Sequence, residues 1–251
     1  MLVIGLIACA ILIPFGLAIH WFPTDASQQL SRTKTLYDVL MIASIPIFVG
    51  VATVVTYSIW KFRMKPGQEM QDGPPIHGNT RLEVIWTTIP AVLILGMCIY
   101  SFLILRDNEK SQPGERLVNV TARQFGFEFG YPLADGKTVL SPILYLANHE
   151  SVVFHLHSLD VIHSFFVPEF AEKLDAVPGI TTILRVTPTR LGSYPAECTE
   201  LCGAGHSLMR AAVRVVSPST FNHWLSSQPT NSTPPIGATP AYAQASGIPG
   251  S

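Results

Sequence analysis

The chain has 251 residues, with 48% hydrophobic and 13% charged residues and a formal net charge of −1 at pH 7. This length accommodates one sizeable soluble domain together with membrane segments. Because a nucleic-acid-binding surface needs clustered Lys and Arg, the near-neutral charge excludes nucleic acid as a partner.

The first apolar run covers residues 1–22 and carries no charged side chain. It has no basic residues at its start, contains Pro14 and continues through Gly16-Leu17-Ala18, which resembles a signal-peptide cleavage site. We expect residues 1–22 to be either a signal peptide, with residues 1–18 removed, or an additional transmembrane helix.

Two further apolar runs predict transmembrane helices at 36–60 and 83–105. Each contains about 20 consecutive uncharged residues, the length that crosses a bilayer core, whereas a buried core helix would be shorter and amphipathic. The loop at 61–82 is richer in Lys and Arg than the segment before the first of these helices. The positive-inside rule therefore predicts a cytoplasmic loop and an outer location for the chain from residue 106.

From Arg116 onward the sequence changes to short β-rich runs such as SVVFHLHS and TTILRVT. Turn residues separate these runs at Asp135-Gly136, Pro178-Gly179 and Leu191-Gly192-Ser193. This pattern predicts an all-β sandwich or barrel at 106–225, with a short helix over FNHWL near its end. The segment 226–251, rich in Pro, Ala, Ser and Gly, is predicted to be disordered.

The stretch CTELCGAGHSLM, from Cys198 to Met209, has the pattern C-x3-C-x3-H-x2-M. In an oxidising compartment its two cysteines could form a disulfide. A zinc site would need a second histidine from elsewhere and would leave Met209 unused. Copper accounts for more of the residues, because thiolate, imidazole and a weak thioether are the ligands of copper electron-transfer sites.

Two thiolates on one loop could bridge two copper ions, each of which would need its own histidine. His206 supplies one, and His163 in SLDVIHSFFVPEF is the best candidate for the other because it lies in a β-rich run between turn formers. His155 and His157 alternate within VVFHLHS and are expected to be ordinary strand residues.

Three segments together resemble cytochrome c oxidase subunit II, the CuA subunit of haem–copper oxidases. They are NTRLEVIWTTIP, SLDVIHSFFVPEFAEKLDAVPG and YPAECTELCGAGHSLM. The resemblance covers about residues 30–225. It implies a transmembrane helical hairpin followed by a cupredoxin-like Greek-key β-sandwich.

The resemblance also implies the ligands of a dinuclear copper centre, CuA: Cys198 and Cys202 bridging both coppers, His163 and Met209 completing one, and His206 and the Glu200 carbonyl completing the other. The Glu200 side chain would bind a Mg²⁺ ion shared with subunit I. Glu83 would lie at the mouth of a proton-uptake channel, although a glutamate at this position could simply face water.

The sequence departs from the family where an aromatic cluster is often written Q-W-x-W. Here it is QFGFEFGYP, so Phe125 replaces the tryptophan through which electrons usually enter. The alternative is that this phenylalanine belongs to the core. Asp160 matches an acidic position that docks a basic cytochrome, but Leu159 is apolar where the family often has a second acid, which predicts weaker electrostatic steering.

The implied function is that of subunit II in a proton-translocating cytochrome c oxidase. Electrons would pass from cytochrome c through the copper centre to a haem in subunit I, and subunit III would be a further partner. Neither predicted helix, 36–60 or 83–105, contains a histidine to ligate haem, so oxygen reduction would occur in subunit I. The implied location is the bacterial plasma membrane, with the C-terminal domain on the outer face. The alternative is a membrane-tethered copper-binding or delivery protein.

Overall fold

The computed structural model describes residues 2–64, 66–67, 75 and 77–231. Its helices are α1 (Leu2–Ala18), α2 (Gln28–Phe62), α3 (Thr80–Glu109) and α4 (Pro218–Ser227). Its strands are β1 (Arg116–Arg123), β2 (Gly126–Pro132), β3 (Thr138–Ser141), β4 (Leu144–Ala147), β5 (Val152–Ser158), β6 (His163–Val167), β7 (Glu172–Ala176), β8 (Thr182–Val186), β9 (Gly192–Cys198), β10 (Arg210–Val216) and β11 (Thr230–Asn231).

The chain divides into two compact units. The helical unit consists of the residues up to Trp21 together with Lys34–Leu105. The β unit consists of Phe22–Thr33 together with the chain from Arg106 onward.

In the helical unit, α2 and α3 are both long and apolar enough to cross a membrane. They have 35 and 30 residues, and their most apolar windows have mean hydropathies of 2.4 and 2.3. Few side chains in these windows are buried within the protein, which leaves their apolar surfaces available to lipid. Both helices extend past the predicted ranges 36–60 and 83–105, because the polar flanks are rich in Gln, Lys, Arg and Glu, which favour helix.

The first apolar run forms α1, which packs against α2. Gly16 is buried, and a Cβ atom on it would be 3.0 Å from the Sδ of Met41. A Cβ atom on Gly5 would be 3.9 Å from Cγ1 of Val49. Because later residues of α1 meet earlier residues of α2, the two helices run antiparallel.

The β unit is a two-sheet sandwich, which confirms the predicted class. The first sheet has the strand order β11-β3-β2-β1-β5-β8, and the second has the order β4-β10-β9-β6-β7. Alternate side chains face a shared core: in β5, Val152, Phe154 and Leu156 are buried, while the residues between them are half-buried.

Strand β9 begins at Gly192, where the sequence predicts a turn. The strand also contains Pro195, a residue that cannot donate to a sheet ladder. Pro195 pairs with Ala212 of β10, whereas the pairing of β9 with β6 is confined to Glu197 and Cys198. The proline therefore lies where β9 has a neighbouring strand on one side only, and there it is tolerated.

The C-terminal helix is longer than the predicted FNHWL segment. The Ser217 hydroxyl accepts a hydrogen bond from the Thr220 N–H as an N-cap, and Phe221 is fully buried. β11 then pairs with β3, so residues up to 231 are ordered where the sequence predicts disorder from 226 onward. The rest of that predicted tail, 232–251, and part of the predicted loop 61–82 lie outside the described residues.

Residues Phe22–Thr33, which we call the docked segment, are bound to the sandwich. The Ser27 hydroxyl donates to the Phe170 carbonyl at 2.8 Å and accepts from the Leu30 N–H at 2.9 Å. The Gln29 side-chain oxygen accepts from the Thr187 N–H at 3.0 Å. Sequence analysis placed the outer domain at 106–225 and did not anticipate this segment.

Candidate metal centre

The candidate ligands lie at one end of the second sheet. Cys198 is the last residue of β9, Met209 immediately precedes β10, and His163 is the first residue of β6. β6 and β9 are paired, with Phe165 opposite Cys198. The Cys198 N–H donates to the Met209 carbonyl at 3.1 Å, which closes the base of the ligand loop, Cys198–Met209. Strand pairing thus brings the sequence-distant His163 to this loop.

Five ligand side chains converge there. The Sγ atoms of Cys198 and Cys202 are 3.8 Å apart, and Cys198 Sγ is 3.8 Å from His163 Nδ1. Cys202 Sγ is 3.6 Å from His206 Nδ1 and 3.8 Å from Met209 Sδ. Each cysteine is therefore next to one histidine.

The centre of this group is buried and suited to a metal ion. The ligand atoms of His163, Cys198 and Cys202 all lie within 4.8 Å of one another, and all three residues are buried. Both cysteines are free thiols rather than a disulfide. His163 could be the second histidine that a zinc site would need, but zinc would give no role to Met209, which is also buried.

Asp160 fixes the orientation of His163. Its Oδ1 lies 2.8 Å from His163 Nε2. Because a carboxylate can only accept, Nε2 carries the proton and donates, which leaves the lone pair of Nδ1 facing Cys198. A carboxylate behind a metal-binding histidine is a common arrangement. The structure therefore gives Asp160 a contact with a ligand, in addition to the docking role expected from the sequence.

The acid–base properties of the site follow from its contacts. Burial raises the pKa of Asp160, but the Gln124 N–H, the His163 ring and the Val161 N–H outweigh burial and lower the pKa to about 2. Asp160 is therefore ionised at neutral pH. Burial and the neighbouring Cys198 raise the pKa of the Cys202 thiol, so metal binding must displace its proton.

Phe125 lies on the surface against the ligand loop. Its side chain is 44% exposed, whereas Phe127 and Phe129 are 7% and 0% exposed. A Cβ atom on Gly205 would be 2.6 Å from the Phe125 ring, and one on Gly203 would be 3.3 Å from it. Of the two positions considered from the sequence, Phe125 takes the surface position, while Phe127 and Phe129 belong to the core.

The two glutamates have separate surroundings. The Glu200 carbonyl lies 3.3 Å from Cys198 Sγ, so its main chain joins the ligand group. Glu83 belongs to the helical unit and is exposed in the first turn of α3. Its Oε1 accepts from the Asn79 N–H at 3.3 Å, while the Asn79 side chain caps the helix through the Leu82 N–H.

Two histidines of β5 lie outside the ligand group. His155 and His157 are half-buried on the outward side of β5, as expected of ordinary strand residues.

Sequence analysis missed Gln124, whose side-chain amide donates to the Cys202 carbonyl at 2.5 Å. Its position directly before Phe125 is the one signal that could have drawn attention to it.

Comparison with known proteins matches both parts of the chain. The family model described as cytochrome c oxidase subunit II, transmembrane domain, matches residues 14–104. The model described as cytochrome c oxidase subunit II, periplasmic domain, matches residues 137–216. These matches favour the subunit II interpretation over a copper-delivery protein.

Individual relatives agree with the family models. Cytochrome c oxidase subunit 2 of Thermostichus vulcanus is 28% identical, over 85% of this chain and 80% of the relative. Probable cytochrome c oxidase subunit 2 of Rickettsia prowazekii (strain Madrid E) is 32% identical, over 81% of this chain and 70% of the relative. A crystal structure of the periplasmic domain of subunit II of cytochrome oxidase from Bradyrhizobium japonicum is 22% identical and covers 47% of this chain and 96% of that chain, with a TM-score of 0.44. On the family models and the relatives of known sequence, the chain belongs to the cytochrome c oxidase subunit II family.

Proposed function

We propose that this chain is the copper-bearing subunit II of a membrane-bound cytochrome c oxidase. It takes up electrons from cytochrome c and passes them to a haem in subunit I, where oxygen reduction is coupled to proton translocation. The observation that carries the proposal is the buried group of His163, Cys198 and Cys202, with His206 and Met209 next to it.

The ligand set fits a dinuclear copper centre. Two adjacent thiols, each beside its own histidine, provide soft sulfur and nitrogen donors in the numbers that two copper ions need. Met209 and the Glu200 carbonyl provide weaker donors at the same place. When bound, such a centre supplies one-electron transfer with the unpaired electron shared between both metals. The chain contributes ligand side chains that are buried except for the half-buried His206, and the ends of the ligand loop join the paired strands β9 and β10.

Metal loading of the full-length chain in detergent tests this function. We expect two coppers per chain and an electron paramagnetic resonance spectrum of one electron shared by both. Cys202→Ser should abolish that spectrum, whereas His157→Ala, in β5, should leave it unchanged. A single copper per chain, or stable binding of zinc in place of copper, would contradict the proposal.

Met209 is assigned as the weak axial ligand. Met209→Leu should change the reduction potential of the centre more than its copper content, because a thioether contributes little to affinity. Redox titration and metal analysis of the same sample provide the measurement. Loss of both coppers in this variant would contradict the assignment.

Glu200 is proposed to bind Mg²⁺ at a contact with subunit I. Its carbonyl faces Cys198, while its carboxylate, a hard oxygen ligand suited to Mg²⁺, is half-buried in the same loop. One residue would thus connect the metal centre to the partner subunit. In the assembled oxidase, Glu200→Gln should lower the Mg²⁺ content while the shared-electron copper spectrum persists.

Glu83 is proposed to take up protons at the start of α3. Glu83→Gln is an informative change because glutamine keeps an oxygen to accept from the Asn79 N–H and so preserves the helix start. In the assembled oxidase it should slow steady-state turnover and leave the rate of copper reduction by cytochrome c unchanged. Equal slowing of both rates would show that the assignment is wrong.

The surface around Phe125 is proposed as the docking site for cytochrome c. Leu201 and Leu208 of the ligand loop are each 80% exposed, and Leu159 is also exposed. The Asp160 carboxylate is engaged by the Gln124 N–H at 2.7 Å and by His163. We therefore expect apolar contact to dominate over charge at this site, with a weak dependence of association on salt.

Phe125→Ala tests this docking site. It should slow the second-order reduction of the copper centre by cytochrome c and leave thermal stability nearly unchanged, because an exposed aromatic can be an interface hot spot. Phe127→Ala is the matched control: Phe127 packs edge to face on Phe165 at 5.6 Å, and its removal should cost about 3–5 kcal/mol of stability. A large loss of stability with unaltered reduction kinetics in Phe125→Ala would move the docking site elsewhere.

The proposed location is the bacterial plasma membrane, with the β unit on the outer face and subunits I and III as neighbours. The basic loop between α2 and α3 supports this orientation. The packing of Gly16 against Met41 favours a retained α1 over a cleaved signal peptide. The mass of the purified mature chain distinguishes the two, since removal of residues 1–18 would give a new N-terminus at Ile19.

A further inference from the structure

Gln124 contacts Cys202 directly and His163 through Asp160, without being a ligand itself. Its backbone N–H donates to Asp160 Oδ2 at 2.7 Å, and Asp160 Oδ1 in turn contacts His163. Its side-chain Nε2 donates to the Cys202 carbonyl at 2.5 Å. One residue between β1 and β2 therefore reaches the histidine from β6 and a cysteine of the ligand loop.

We propose that Gln124 is a positioning residue of the metal centre, which holds the Cys202 main chain and, through Asp160, the His163 ring in their ligand positions. This inference rests on the proposed function, in which the centre binds two coppers. It assigns to Gln124 a part in retaining the metal and in setting the electronic structure of the centre.

The ligand loop needs such a restraint at Cys202. The next residue, Gly203, has φ +132°, a conformation that is open to glycine and strained for other residues. A peptide next to such a residue can rotate unless its carbonyl is held, and rotation would move the Cys202 thiol. The hydrogen bond from Gln124 fixes this peptide plane.

The same glycine makes room for the amide. A Cβ atom on Gly203 would be 2.8 Å from Gln124 Nε2, so a larger residue would displace the amide from the carbonyl. Phe125 lies against both Gly203 and Gly205, since Cβ atoms there would be 3.3 Å and 2.6 Å from its ring. The amide is also uncharged, so it holds the Cys202 carbonyl without adding a charge to the site.

Two substitutions of Gln124 remove the hydrogen-bond donor while keeping the side chain close to its original size. Gln124→Met keeps the length and removes the donor, while Gln124→Glu places a carboxylate against the carbonyl oxygen. The matched control is Gln228→Met, because Gln228 also donates to a backbone carbonyl, that of Trp224 in α4 at 3.3 Å. All variants are made in the full-length chain and loaded with copper in detergent.

The readouts are copper loss to a chelator, the electron paramagnetic resonance spectrum, the reduction potential and the melting temperature of the metal-free chain. Gln124→Met should lose copper about fivefold faster, the size expected for one backbone-directed hydrogen bond, with an altered spectrum and potential. Gln124→Glu should lose it faster still. Metal-free stability should stay unchanged, and Gln228→Met should match the wild type throughout.

Two results overturn the inference. One is a wild-type rate of copper loss and a wild-type spectrum in both Gln124 variants. The other is an equal drop in melting temperature with and without copper in Gln124→Met, which would make Gln124 a general packing residue. If the wild-type chain takes up no copper pair, the proposed function itself is overturned, and the inference falls with it.

Discussion

At the scale of single residues, Gly205 is constrained by Phe125 and not by its own backbone. Its φ is −93°, a value that any residue adopts. A Cβ atom there would nevertheless meet three atoms of the Phe125 ring at 2.6 to 2.9 Å. The glycine is therefore required because an aromatic ring rests on the ligand loop.

Gly205→Ala should force either the ring or the loop to move. We expect a loss of about 1–3 kcal/mol in stability, typical of overpacking, and a changed copper spectrum. Gly126→Ala is the control, since a Cβ atom on Gly126 would meet nothing within 4 Å beyond its own chain neighbours. Thermal unfolding and the copper spectrum of both variants provide the measurement, and a wild-type result for Gly205→Ala would contradict the contact.

The ligands of the candidate site were predictable from the sequence, but their supports were not. Cys198, Cys202 and Met209 can be recognised because they lie within twelve residues of sequence and have sulfur side chains that bind copper. Gln124 and Cys202 are separated by 78 positions, and a hydrogen bond between them depends on how β1 and β2 pack on the second sheet. Neither the residue type nor its position in the sequence predicts such a contact.

At the scale of secondary-structure elements, β7 begins with a half-buried acid, Glu172. Asn108 donates to Glu172 Oε1 at 3.0 Å, and the Asn108 side-chain oxygen accepts from Arg32 at 3.3 Å. Burial is the main cause that raises the pKa of Glu172 to about 7, with Glu109 adding to it. The folded state therefore holds a proton that the unfolded chain releases at lower pH.

Glu172→Gln should change how stability depends on pH. Between the ordinary pKa of 4.5 and the folded value of about 7, the folded state binds more protons, so stability falls as pH rises. The variant lacks this loss: it should match the wild type at pH near 4 and exceed it at pH near 8 by on the order of 2 kcal/mol. Unfolding temperatures across this range provide the measurement, and parallel pH profiles would contradict the raised pKa.

Strands were predictable where apolar and polar residues alternate clearly, and they were not predictable where charged residues interrupt that alternation. β5 alternates buried and half-buried residues over its whole length, and its sequence pattern predicts it. β7 has the sequence EKLDA, with three charged residues in five, and only Ala176 is buried. It forms because β6 offers it a partner from Val167 to His163, which is tertiary information.

At the scale of the whole molecule, the sandwich is completed by the docked segment, which ends in the first residues of α2. Ser27 bonds to a residue 143 positions later, and Gln29 to one 158 positions later. Contacts of this separation leave no periodic trace in sequence, which is why the predicted outer domain began at 106. The two-sheet class itself was predictable, because it rests on local strand and turn patterns.

Ser27→Ala should destabilise the β unit. It removes a buried hydrogen bond to Phe170 and the cap on the Leu30 N–H, which together are worth about 1–3 kcal/mol. Ser226→Ala is the control, because Ser226 donates to the His223 carbonyl at an exposed site. Thermal unfolding of the full-length chain provides the measurement, and equal effects of the two changes would contradict a structural role for the docked segment.

The docked segment also bears on the order in which the protein is made. It leaves the ribosome before the apolar part of α2, and its partners Phe170 and Thr187 follow α3, so both helices must be inserted before Leu30 can be buried. If one helix failed to insert, the segment and its partners would be in different compartments. Such a molecule would expose Leu30 and leave the Thr187 N–H without Gln29, and quality-control proteases could recognise it. Completion of the sandwich therefore requires the docked segment and its partners to reach the same side of the membrane.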